Sequence, residues 1–299
     1  MKANSQKSIE NSVINALSVD VESFAESNVQ SFPIAEKYLN KAAQNYEIEA
    51  NTHVLLELFE QLSVKATFFF LGRIAKDIPK IVKETARVGH EIGCHSYLHL
   101  RIFDIERSEF KQKLDMAKKG LEDVSSQPVY GFRAPDFSIT NKSIWALDIL
   151  KELGFVYDSS IYPFGLHDVY GMKDAEPSIH TLPNGLIEFP MATTELFGKR
   201  IPFGGGGYFR LYPLLLTKIF LSKLNKQGYP AMFYIHPYEA GSQIPRIAGM
   251  SYYRRFRHYY HCRGGQARLR KLLKAFKFCP AVEVLKHSKQ LASEVNFAD

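Results

Sequence analysis

Cysteine is scarce in this chain: three in 299 residues, at positions 94, 262 and 279. They make neither an even set nor a CxxC pair, which argues against a disulfide-stapled secreted domain. The opening residues, MKANSQKSIENSVINALSVD, lack the apolar core of a signal sequence. Long apolar runs are also missing, since ATFFFLG and LYPLLLTKIFL are too short or too interrupted to span a bilayer. No internal repeat, low-complexity tract or domain linker is visible. With 45% hydrophobic and 23% charged residues the composition is that of a globular domain, excluding disorder, collagen-like and coiled-coil chains. These absences lead to the expectation of a soluble, cytoplasmic protein.

Acidic residues are missing from one stretch in particular. Between positions 240 and 282 there are ten Lys/Arg and no Asp/Glu, and without that stretch 28 basic residues face 31 acidic ones. The net charge of +7 is therefore local. A segment of this kind can meet an anionic membrane surface or an acidic glycan, and would place the protein at the inner face of a membrane; it equally suits a solvated helix face. A basic run alone does not make a nucleic-acid binder, and none is expected as a partner.

What is present alternates as in an α/β domain. Strands are expected at 14–21, 64–72, 90–94, 129–135 and 231–237, with shorter ones in FVYDSS and LIEFPM. Helices are expected at 52–62, 77–88, 105–121, 143–153 and 214–225, and a loop at 33–45. The pattern implies one domain on a mostly parallel sheet or distorted barrel. In such folds function collects at the carboxyl ends of strands, where Asp20, Glu22, His95, Arg133, Asp158 and His236 all fall.

In HSYLH, His95 and His99 are four apart, so a helical turn or tight loop can aim both imidazoles at one point. Neutral imidazole ligates zinc-like ions, and a catalytic site needs three protein ligands with one open position. In SVDVE, Asp20 and Glu22 are two apart and share one side of an extended strand. One carboxylate can bind a metal while the other takes a proton from water. HxxxH also occurs as paired surface histidines, and acidic residues after strands are often caps. His236 in FYIHPYE is placed to protonate a leaving group, Asp158 in YDSS to hold such a histidine, and Arg133 in GFRAPDFS to orient a carboxylate. Each has a plainer reading as a core histidine or structural ion pair.

DVE, HSYLH, FRAP, YDSS and IHP occur in the order and spacing of the polysaccharide deacetylases, and the chain resembles that NodB-homology family (carbohydrate esterase family four) over roughly residues 14–240. GGGGYFRLYP, AMFYIHPYE and the basic FRHYY segment resemble a subgroup associated with bacterial exopolysaccharide and cell-surface glycan loci, extending the likeness to about residue 285. The resemblance implies an α/β, single-domain distorted (β/α) barrel with fewer than eight complete units. Residues 14–285 would be the catalytic domain, including the basic segment 246–277, flanked by polar tails at 1–13 and 286–299.

The resemblance further implies a metal-dependent removal of N-acetyl groups from a polysaccharide or its precursor. His95, His99 and Glu22 would bind a divalent ion, zinc before Co2+, Ni2+ or Mn2+. Asp20 would be the base, Arg133 its orienter, Asp158 the tuner of His236, and His236 the acid. The motif departs from the family's paired aspartates, because Val21 separates Asp20 from Glu22, so which is base and which is ligand stays open. Pro135 and Asp136 would border the substrate, although relatives carry an aromatic residue where Asp136 stands. Tyr208, Phe209 and Trp145 are candidates for sugar stacking, and Gly204–Gly207 for a flexible flap or plain turn. The competing readings are an allantoinase-like hydrolase of another C–N amide, a non-catalytic glycan binder, and a sugar-nucleotide glycosyltransferase, which leaves HSYLH and IHP without roles.

Overall fold

The computed structural model describes residues 13–165 and 170–288. The expected tails at 1–13 and 286–299 lie outside these, apart from residue 13 and residues 286–288. β1 (Asn15–Val21) is buried along its whole length. Leu17, Val19 and Val21 pack with the outer helices, while Ala16, Ser18 and Asp20 face inward. Burial of both faces is what a central strand of a parallel sheet requires.

The other strands are β2 (Thr67–Phe70), β3 (Glu91–Cys94), β4 (Gly131–Phe132), β5 (Tyr157–Asp158), β6 (His180–Thr181), β7 (Ile187–Glu188), β8 (Thr193–Leu196), β9 (Lys199–Pro202), β10 (Met232–Ile235) and β11 (Phe278–Cys279). The main sheet runs β10-β1-β2-β3-β4-β5-β7-β6, with β11 beside β1 and β8–β9 forming a separate hairpin. Every pair from β10 to β7 is parallel, and only β6 is antiparallel to its neighbour. Bridges from Met191 to Met232 and from Gly205 to Tyr234 carry the chain after β7 back to β10. The nine-stranded sheet curls into a distorted α/β barrel, the expected fold class.

Two expectations are corrected. Gly204–Gly206 is no flap: it is the staple that closes the barrel on β10. Tyr234 donates its N–H to the Gly204 carbonyl (2.8 Å), and a Cβ on Gly205, at φ 124°, would run into the Tyr234 carbonyl. Nor is 33–45 all loop, because a helix runs over Lys41–Leu62, capped by Asn40 accepting from the Ala43 N–H (3.1 Å). Its buried face begins with Gln44, Glu47, Ile48 and Asn51, so polar side chains hide the apolar period there.

Of the basic segment, the helix Gly265–Leu273 buries Leu269, Leu272 and Leu273, whereas the helix Tyr252–Tyr259 buries nothing. No described helix is long and apolar enough to cross a membrane.

Candidate active site

β1 ends at Val21, and the chain turns at once into a short helix, Phe24–Asn28, opened by Ser23. Ser23 accepts from the Glu26 N–H while Glu26 returns a bond to the Ser23 N–H, both at 3.1 Å. Glu26 also takes a bidentate pair from Arg73, so the backbone around Glu22 is held on both sides. His95 follows β3 directly, its N–H donating to the Phe70 carbonyl (2.8 Å). The next residues form a loop rather than a helical turn, with Ser96 at φ 68° and its carbonyl accepting from Gly72. That turn brings His99 back toward His95, with ring centroids 5.5 Å apart.

Glu22, His95 and His99 converge, one ligand atom from each lying within 4.8 Å of the others. Glu22 Oε2 is 2.7 Å from His99 Nε2 and 3.5 Å from His95 Nε2, yet it is buried without a hydrogen bond. Close donor atoms that are not aligned on one another, around an orphaned carboxylate oxygen, fit a shared cation. The Nδ1–H of His95 donates to the Arg133 carbonyl (2.8 Å), leaving its Nε2 lone pair for a metal. This donor set, two imidazoles and a carboxylate, is that of an open catalytic site, and it could hold a metal ion.

Asp20 lies deeper. Its Oδ1 accepts from Arg133 Nη1 (2.8 Å), and the same nitrogen donates to the Ser18 hydroxyl (2.7 Å). Arg133 is fully buried, bonded also to the Ser159 carbonyl and hydroxyl, with its guanidinium 4.4 Å above the Phe69 ring. A guanidinium with every direction occupied is a fixed charge.

His236 follows β10, with Nε2 3.2 Å from Glu22 Oε1. Burial would lower its pKa, but the Glu239 and Glu22 carboxylates push it up to about 10. His99 is raised to about 9 by Glu22 against the same burial penalty. Glu22 sits well below the usual range, because His99, His236 and His95 outweigh its desolvation.

Asp158 does not stand against His236, which corrects the expected pairing. It accepts from the Ser160 hydroxyl (2.6 Å) and faces Glu188 across the end of β5 and β7. Burial raises Asp158 to about 6 and, together with the Asp158 charge, lifts Glu188 well above its usual range. The carboxylate on His236 is Glu239, at 3.0 Å from Nδ1 and 2.9 Å from the backbone nitrogen. Arg210 Nε donates to its other oxygen at 2.5 Å. Glu239 and Arg210 are absent from the sequence reading, as are Ser18 and Ser159.

Two other expected substrate contacts are also displaced. Phe209 is core, edge-on to Phe233 and under the Arg268 guanidinium, and Trp145 packs edge-on to Phe110 with Arg107 over it. Tyr208 joins a tyrosine group, its hydroxyl 3.2 Å from that of Tyr170. Pro135 is buried, and Asp136 at φ 52° accepts from Arg101 Nε (2.7 Å).

Residues 43–157 match the family described as polysaccharide deacetylase, and residues 159–286 match a domain of unknown function (DUF3473). The chain is 32% identical over 98 residues to a Bacillus cereus peptidoglycan-N-acetylglucosamine deacetylase, covering 32% of this chain and 36% of that one. It is 35% identical over 85 residues to an Azorhizobium caulinodans chitooligosaccharide deacetylase, covering 28% and 40%. A Mycobacterium smegmatis crystal structure described as a polysaccharide deacetylase superposes over 96% of this chain and 94% of its own, with a TM-score of 0.62 at 19% identity. Residues 43–157 belong to the polysaccharide deacetylase family.

The matched stretches span 17% to 40% of the first curated relatives' own lengths. The site crosses the match boundaries. His95, His99 and Arg133 lie in the deacetylase match, Arg210, His236 and Glu239 in the DUF3473 match, and Asp20 and Glu22 before both.

Proposed function

We propose that this chain is a metal-dependent carbohydrate N-deacetylase acting on the N-acetyl group of an amino sugar, in a bacterial surface glycan or its precursor. The observation that carries the reading is the buried convergence of Glu22, His95 and His99 beside Asp20 and His236. Glu22 Oε2 and the two Nε2 atoms would hold a divalent cation, and zinc suits that donor set best. Such an ion supplies Lewis-acid polarisation of the acetyl carbonyl and acidifies water. The distinct surroundings of the two carboxylates support Glu22 as ligand and Asp20 as base.

Asp20 takes a proton from the attacking water, its Oδ1 held by Arg133. His236 Nε2–H protonates the sugar amine as the C–N bond breaks, releasing acetate. Glu239 holds the Nδ1–H of His236 and so directs Nε2 at the reaction, and Arg210 holds Glu239. Asp136 and Pro135, on the loop after Arg133, border the sugar. The names of the two curated relatives support an N-acetylglucosamine-type substrate.

The test is acetate release from N-acetylglucosamine oligosaccharides by the zinc-loaded protein, beside His95→Ala and His236→Ala. Chelator-sensitive release, lost in both variants, is expected. Hydrolysis of allantoin in place of the oligosaccharides would move the activity to a ring amide. No release and no stoichiometric metal would end the catalytic reading.

A further inference from the structure

The helix Tyr252–Tyr259 carries an aromatic face that nothing in the fold covers. Tyr252 is 90% exposed, Tyr253 71% and Phe256 55%. At about 100° per residue these three fall within an arc of about 100°. Tyr260 extends the face, its ring 4.6 Å from that of Phe256. Contiguous exposed rings of this kind mark a contact surface.

Beside this helix lies a groove of about 1000 Å³. Arg255 from the helix, Arg246 from the preceding loop and Arg263 from the following turn all line it. None of the three guanidiniums has an acidic partner among the described residues, and Glu57 is the one acid on the groove wall. The loop bearing Arg246 is pinned in place. Tyr259 Oη donates to the Pro245 carbonyl (2.7 Å) and accepts from the Ile247 N–H (3.0 Å), while Tyr38 Oη donates to the Arg246 carbonyl (2.7 Å). The three cations are thus presented by a held backbone.

This surface adjoins the candidate active site. Arg210, which holds Glu239, donates to the carbonyls of Arg257 (2.9 Å) and His258 (3.0 Å). Phe24, two residues after Glu22, stacks on Tyr259 with centroids 5.2 Å apart.

We propose that this surface docks on an anionic lipid bilayer, with the aromatic face at headgroup depth and Arg246, Arg255 and Arg263 taking lipid phosphates. The position of the three exposed rings outside the arginine groove favours lipid over glycan. Tyr252, Tyr253 and Phe256 project from a convex helix and line no part of the groove that holds the arginines. A bilayer presents its apolar depth and its charged plane in that way, whereas a stacked sugar needs rings and polar donors in one cleft. The absence of any acid from 240 to 282 removes the repulsion an anionic surface would otherwise meet. The contact is short, so binding is reversible and salt-sensitive.

The proposal does not rest on the catalytic reading, and its test is separable from it. The full chain is sedimented with vesicles of phosphatidylglycerol and phosphatidylcholine, and with phosphatidylcholine alone. Binding to the mixed vesicles only is expected, weakened at least about tenfold by the triple change Arg246→Glu, Arg255→Glu, Arg263→Glu. An independent triple change, Tyr252→Ser, Tyr253→Ser, Phe256→Ser, weakens it too, and both variants keep the parental circular dichroism spectrum and urea midpoint. Equal binding to both vesicles, no binding to either, or full binding by the arginine variant would overturn the proposal. So would displacement by inorganic phosphate at matched ionic strength, which would assign the groove to a soluble anion. Retention on soluble alginate without vesicle binding would assign it to an acidic glycan.

Discussion

His236 is held from both sides by charge. Glu239 meets its backbone nitrogen and its Nδ1 with one oxygen, and Arg210 occupies the other. Burial would raise the Glu239 pKa, but His236 and Arg210 drive it down to about 2, so it stays ionised at any working pH. Glu239→Gln keeps an acceptor for the Nδ1–H and removes the charge. In the proposed mechanism kcat then falls about 10- to 100-fold, with KM and bound metal unchanged, and Glu239→Ala falls further. Steady-state kinetics beside metal analysis decide it, and a Gln variant with the parental kcat would remove Glu239 from the mechanism. This residue was legible in principle. Glu239 is three positions after His236, which is capping-box spacing, and His236 is the residue that opens the short helix Pro237–Ala240. Arg210 was not legible, because nothing in GGGGYFRLYP specifies a carboxylate 29 residues away.

Among the elements, the strands were the most legible and the closure of the barrel the least. β1, β2, β3 and β10 are short apolar runs bounded by polar turns, and each was placed from that pattern. The helix Lys41–Leu62 was half seen, since Gln44, Glu47 and Asn51 interrupt its period while lying buried. The glycine run read as freedom and turned out to be constraint. Gly205→Ala places a methyl group against the Tyr234 carbonyl at a φ that only glycine adopts readily, so a loss of about 2–4 kcal/mol is expected. Urea midpoints measure it, and a loss below about 0.5 kcal/mol would mean the staple does not hold the barrel closed.

Over the whole molecule, the two matched segments are not two bodies. β10, within the DUF3473 match, pairs along β1, and β1 pairs with β2 in the deacetylase match. Stability of that single sheet depends on pH through His90, which is buried, and His258, which is half-buried. Burial pushes His90 down to about 4 from an ordinary 6.5, aided by Lys65, while its Nδ1 accepts from the Ala66 N–H (3.1 Å). His258 is likewise lowered to about 4 by burial and by Arg210, Arg257 and Arg254. Between those values the unfolded chain binds more protons than the folded one, so stability falls as pH drops from about 6.5 to 4. His99 and His236 act with the opposite sign, their contribution being full below 6.5 and lost as pH rises through about 9 to 10. Unfolding free energies from urea titrations at pH 7 and pH 5 should differ in the parent and differ less in His90→Gln, by up to about 2 kcal/mol. An equal shift in both would exclude His90 as a source of acid sensitivity.

The sequence by itself determined the barrel, the likeness to polysaccharide deacetylases and the residue types at the strand ends, because period, turn chemistry and motif order are local properties of the chain. It named Asp20, Glu22, His95, Arg133 and His236, each within two residues of a strand end, and His99, five residues past the end of β3. Only the tertiary structure decided which of these meet. It separated Asp20, against Arg133, from Glu22, among the histidines, and it gave His236 to Glu239 rather than Asp158. The physical reason is that a strand's pleat sets the side a residue faces, while the partner it meets there depends on the stagger of other strands. That stagger is fixed by packing across the barrel, through contacts such as Arg133 to Ser18 spanning 115 positions of chain.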